Sequence, residues 1–150
     1  MSTLVYKVTL RRVGEEMLEA TGGTDGRVLL APKGTPNSFQ PVELLLVALG
    51  ACSGMDLEVL AARDGVRIEE LEVRVTGTKP LHRSSLDSVS VDYHLADGGS
   101  DQVASWLTEV GDICTVAVSV RDGGATVSHT GKDPTSGDPG SQGRRREGAS

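Results

Sequence analysis

Gln40-Pro41-Val42-Glu43-Leu44-Leu45-Leu46-Val47-Ala48-Leu49-Gly50-Ala51-Cys52-Ser53-Gly54-Met55-Asp56 is the stretch on which the reading of this chain turns. Pro41 suits the first turn of a helix, where its missing N–H has no partner to lose. The pattern predicts a helix from Val42 to about Asp64, stopped by Gly65. From Leu44 to Cys52 it is apolar nearly all round, so that half is expected to be buried on every side. From Met55 onward Met55, Val59 and Ala62 are expected to face inward, with Asp56, Glu58 and Arg63 outward. Glu43 opens the helix, where a carboxylate interacts favourably with the dipole, and its alternative role is as a hydrogen-bond partner in a thiol pocket.

Upstream, Leu4, Tyr6, Val8 and Leu10 alternate with Val5, Lys7, Thr9 and Arg11, the period of a strand. Val13-Gly14-Glu15 can turn the chain into a second strand from Met17 to Thr21. Gly22-Gly23-Thr24-Asp25-Gly26 is a turn, followed by a short strand from Arg27 to Ala31 and a Pro-rich loop over 32–41. Downstream, two half-buried strands are expected as antiparallel neighbours, one around Leu71, Val73 and Val75, the other around Val89, Val91, Tyr93 and Leu95. Asp97-Gly98-Gly99 reads as a turn. Val103, Trp106, Leu107, Val110 and Cys114 form the stripe of a second helix over about 101–113. Thr115 to Val120 fits helix or strand, and Ala125 to Thr130 is a last strand. Residues 1–131 form one domain, and 132–150, rich in Gly, Ser, Pro and charge, read as a disordered tail.

Composition narrows the function. The 150 residues carry a net charge of −6 and 3% aromatics, so neither a basic surface nor stacking rings favour nucleic acid. The N-terminus lacks the pattern of a secretory signal, and the longest charge-free apolar run, Leu44 to Met55, has 12 residues, short of the roughly 20 needed to span a bilayer. A cytoplasmic protein with no membrane partner is expected. His82, His94 and His129 lack metal-ligand spacing, so no metal site is expected. An all-round apolar helix in a body this small also predicts an obligate dimer.

Cys52 lies midway along the apolar helix and Cys114 closes the second stripe, so both point inward. Residue pattern alone leaves two readings open. Each is a small buried hydrophobe, or the two form a dithiol in which one thiolate attacks a substrate and the other resolves the product as a disulfide. The second reading needs a group that stabilises the thiolate, such as an Arg or a helix N-terminus.

The Pro41-Val42-Glu43-Leu44 segment ahead of Cys52, with Ile113-Cys114-Thr115-Val116-Ala117-Val118 about sixty residues later, resembles the signature of the OsmC/Ohr superfamily over about residues 4–130. The resemblance implies an α+β fold, an OsmC-like intertwined homodimer with antiparallel sheets wrapped around two long central helices. It implies reduction of organic hydroperoxides, with Cys52 attacking and Cys114 resolving. It requires no bound cofactor, and an external dithiol such as a lipoyl protein would reduce the disulfide. The peroxidase branches carry an activating Glu at the position of Val42 and an Arg at that of Thr24, so the usual pair is missing. Arg27 is the nearest substitute, and Glu43 stands one residue further round the helix. The Pro-x-Glu-Leu form is most similar to the YhfA-like branch. The alternative is therefore a non-peroxidatic member that binds a small hydrophobic ligand at the dimer interface.

Overall fold

The structure is a computed structural model and describes residues 2–96 and 100–132. The Asp97–Gly99 turn and residues 133–150 of the expected tail lie outside the described residues. The chain divides into two compact units, 1–49 and 50–150, and a single helix, α1 (Pro41–Arg63), runs through the division.

In the first unit β1 (Thr9–Gly14), β2 (Met17–Thr21) and β3 (Arg27–Leu30) form an antiparallel sheet in sequence order. The first strand starts at Thr9 and not at Leu4. A tight turn at Glu15-Glu16, with Glu16 at φ 52°, sets a register that pairs Thr9 with Thr21. The chain then turns away at Gly22, so nothing in this sheet stands opposite residues 4–8, and their alternation has no ladder to join. Leu10, Leu18, Ala20, Val28 and Leu30 share one face through the registers of the two pairs.

α1 begins where Pro41 allows it. Glu43 Oε2 accepts a 2.8 Å hydrogen bond from the backbone N–H of Gln40, the reciprocal half of a capping box. The helix ends at Arg63, and the chain turns off it at Gly65, whose φ of +77° only glycine adopts freely. Its 23 residues make it long and apolar enough, by length and composition, to cross a bilayer, so the 12-residue charge-free run understates it. Core helices of soluble proteins share that property, and Leu49, Leu57, Leu60 and Ala61 are buried in the protein. The expected facing of its second half holds only in part: Glu58 and Arg63 are exposed as expected, but Met55, Val59 and Ala62 are exposed too, and Asp56 is half-buried. Neither is the first half buried on every side, since Val42, Leu45 and Val47 remain exposed in the single chain.

In the second unit β4 (Leu71–Thr78) and β5 (Ser88–Leu95) pair antiparallel over eight positions. α2 (Ser100–Ile113) and α3 (Thr115–Asp122) then carry the chain back to β6 (Thr126–Lys132). β6 lies parallel to β5, so this sheet is mixed and not purely antiparallel; the two-helix crossover supplies the length a parallel return requires. Gly131 and Lys132 belong to β6, so the strand runs one residue into the expected tail.

Val73 and Val75 share a face with their register partners Tyr93 and Val91. α1 packs closely on that face: a Cβ on Gly50 would stand 2.6 Å from Val75 Cγ2. Trp106, Leu107, Val110 and Cys114 of the expected stripe are buried. Trp106 Nε1 donates a 2.7 Å hydrogen bond to Asp64 just beyond α1, and Arg63 pairs with Glu109 at 2.7 Å.

Candidate functional site

The 100–113 stripe brings Cys114 to the end of α2, where it becomes the N-cap of α3 at φ −64° and ψ 111°. An N-cap cysteine leaves the first N–H groups of α3 without a side-chain acceptor, because its own thiol makes no cap hydrogen bond. The Val116 backbone N–H faces the Cys52 sulfur and favours its thiolate. A helix N-terminus thus stands at the sulfur whose usual cationic partner is missing from the sequence.

Asp56 lies one helical turn beyond Cys52, and i, i+4 side chains share a face. Cys52 Sγ is 3.9 Å from Asp56 Oδ2. Cys52 Sγ, an Asp56 carboxylate oxygen and Cys114 Sγ all lie within 4.8 Å of one another. Both thiols are free, Cys114 fully buried and Cys52 half-buried. Two sulfurs this close need only side-chain rotation and a small shift to bond.

Electrostatics oppose ionisation of Cys52. Burial is the largest influence and raises its pKa; the Val116 N–H pulls it down, and Cys114 and Asp56 push it up again. None of these groups is a cation.

Behind Cys114 lies a buried polar chain. Ser53 is fully buried, and its hydroxyl donates to Cys114 Sγ at 3.3 Å. The Ser53 hydroxyl also stands beside the Tyr93 phenol, opposing the upward pKa shift that burial imposes on it. Tyr93 Oη and His129 Nδ1 are 2.8 Å apart. Burial lowers the pKa of His129, and its Nε2 is buried without a hydrogen-bond partner.

The sequence reading picks out both cysteines, and the structure brings them together. It does not foresee Ser53, Tyr93 or His129 behind them, and it turns Asp56 outward. The i, i+4 spacing of Cys52 and Asp56 is the sequence signal that could have found Asp56. Glu43 is engaged at the start of α1 through Gln40. Arg27 is an exposed strand residue 3.9 Å from Glu19.

The family model described as OsmC-like protein matches residues 34–130. Among solved structures, an OsmC-like protein from Mycoplasma pneumoniae superposes with a TM-score of 0.79 at 16% identity, covering 88% of this chain and 99% of that one. A hypothetical protein from Aquifex aeolicus gives 0.77 at 17% identity, over 87% and 97%. The organic hydroperoxide resistance protein OhrB of Bacillus subtilis gives 0.65 at 20% identity, over 86% and 98%. At these identities the likeness concerns the fold. A search of curated protein sequences returns no significant match.

Proposed function

The chain belongs to the OsmC-like protein family, and from that premise we propose that it reduces organic hydroperoxides with Cys52 as the attacking and Cys114 as the resolving thiol. The observation that carries this reading is the approach of the two sulfurs to within 4.8 Å, one half-buried and one buried.

The Cys52 thiolate attacks the terminal oxygen of the hydroperoxide. The O–O bond breaks, the alkoxide takes a proton and leaves as the alcohol, and Cys52 becomes a sulfenic acid. The Cys114 sulfur, having given up its proton, attacks the Cys52 sulfur; hydroxide leaves as water and a disulfide forms. An external dithiol of the lipoyl class then returns both thiols. The Val116 N–H favours the attacking thiolate, and the Ser53 hydroxyl, which donates to Cys114 Sγ, favours the thiolate that Cys114 must become to resolve it. The exposed apolar residues of α1, with the apolar face of the N-terminal sheet, are the surfaces a second copy would cover in a homodimer of the cytoplasmic kind expected from the sequence.

Loss of both thiols on treatment with an organic hydroperoxide is the expected result. Cys52→Ser abolishes consumption, because an alcohol does not replace a thiolate. Cys114→Ser halts turnover with an oxygen added to Cys52, read by mass spectrometry. Because burial and Asp56 raise the Cys52 pKa, the rate climbs with pH through 9 without reaching a plateau at neutral pH. Thiols that stay reduced under peroxide at pH 9 overturn the proposal.

A second reading rests on the Asp56 carboxylate beside Cys52, with no cation among the described residues that act on the thiol. A site without a cation is unlike an activated thiol, and supports binding of a small hydrophobic ligand at the dimer interface with the cysteines as lining. Hydrophobic-ligand binding by protein whose thiols do not respond to peroxide distinguishes it.

A further inference from the structure

We propose that Cys52, Asp56 and Cys114 together form a binding site for a thiophilic divalent cation of the zinc class. The three ligand atoms lie within 4.8 Å of one another. A tetrahedral ion with Zn–S of about 2.3 Å and Zn–O of about 2.0–2.2 Å needs S···S near 3.8 Å and S···O near 3.5 Å. The Cys52–Asp56 edge already measures 3.9 Å, and closing the others takes at most about 1.3 Å of side-chain movement by the same arithmetic.

The donors sit on regular structure. Cys52 and Asp56 occupy one turn of α1, and Cys114 is anchored at the α2–α3 junction. Their outer partners suit ligation. The Val116 N–H supports the Cys52 sulfur and the Ser53 hydroxyl donates to the Cys114 sulfur. Two thiolates and a carboxylate place three negative charges in a half-buried space, and a dication offsets most of them. Sulfur donors select zinc-class ions over magnesium or calcium.

Three protein ligands leave a fourth position for water or a small anion, and the half-exposed Cys52 and Asp56 give the ion a way in. Binding expels the two thiol protons, so affinity rises with pH. A metallated pair cannot form a disulfide, so the ion holds both cysteines reduced. The site stands whether or not the thiols react with peroxide.

Reduced full-length protein is titrated anaerobically with Co2+ as the spectroscopic probe. A thiolate-to-cobalt charge-transfer band with tetrahedral ligand-field bands is expected, saturating at one ion per chain and abolished by Zn2+. Prior oxidation to the disulfide removes the bands. Asp56→Asn, on the helix surface beside the thiols, weakens Co2+ binding by about tenfold or more, the range seen even for lost outer partners. Zn2+ also protects both cysteines of the wild type from alkylation, which needs no variant to fold. Absence of the charge-transfer band in reduced wild type, or an unchanged affinity in Asp56→Asn, overturns the proposal. Because neither readout uses peroxide, failure here and failure of the peroxidase reading are separate results.

Discussion

The two sheets of this chain use the same alternating chemistry to different ends. In the β4–β6 sheet Val89, Val91, Tyr93 and Leu95 are buried at every second position of the central strand. In the β1–β3 sheet the edge strand β1 has five of six positions exposed, and Leu10, Val13 and Leu18 stay open to solvent. The first sheet is complete as a hydrogen-bonded unit but unfinished as a hydrophobic one. The second closes its own core, because α1 from Gly50 onward and the α2–α3 pair lie on it within the same unit. A strand pattern therefore states which residues want burial, and it leaves open whether the same chain supplies the cover.

The strongest way to break this contrast is at Trp106. Its ring is buried and its indole N–H is held by Asp64, so Trp106→Ala is expected to cost about 3–5 kcal/mol in denaturant unfolding. A loss below 1 kcal/mol would mean that the second unit does not close its own core. Gly50 tests the same packing from the helix side. With Val75 Cγ2 only 2.6 Å from its Cβ position, Gly50→Ala should destabilise by about 1–3 kcal/mol despite its gain in helix propensity. A stabilised Gly50→Ala would show that the helix rests loosely on β4.

The open sheet is tested differently. Leu10→Ser with Leu18→Ser should leave the unfolding of the isolated chain nearly unchanged. In sedimentation it should weaken self-association by about 1–3 kcal/mol for two apolar side chains that no longer find cover. Unaltered association with a large loss of folding stability would place these residues in the core of a single chain.

The smallest effect concerns His129. Its folded-state pKa is lowered by burial, so the unfolded chain binds its proton first as pH falls. Stability is then full above the unfolded value of about 6.5 and declines as pH drops through it toward the folded pKa. His129→Gln should flatten that part of the pH–stability curve, and an unchanged slope would assign the loss to other groups.

The cysteines were legible because apolar periodicity points both inward, and the capping residues around α1 were legible because they act within four positions. The errors have a common origin. Residues 4–8 alternate like a strand, but the Glu15-Glu16 turn and the Gly22 exit leave them without an opposing strand. Met55 and Val59 carry the composition of a core face, yet the side of α1 that the second unit covers is set by Gly50 and Gly54, where β4 approaches. The parallel placement of β6 depends on where the α2–α3 bend delivers the chain.

By itself the sequence determined the local elements. Hydrophobic period, prolines, glycines and caps act over a few residues, and they mark α1, the α2 stripe, the β4 and β5 strands and the inward direction of each thiol. Tertiary structure decided the chemistry. Cys52 meets Cys114 only when 62 positions of chain close on themselves, and that closure also brings the α3 N-terminus to Cys52 and Ser53 to Cys114. Separations of a few ångströms between distant residues govern thiol ionisation, disulfide formation and metal ligation, and such separations arise from packing and not from local pattern.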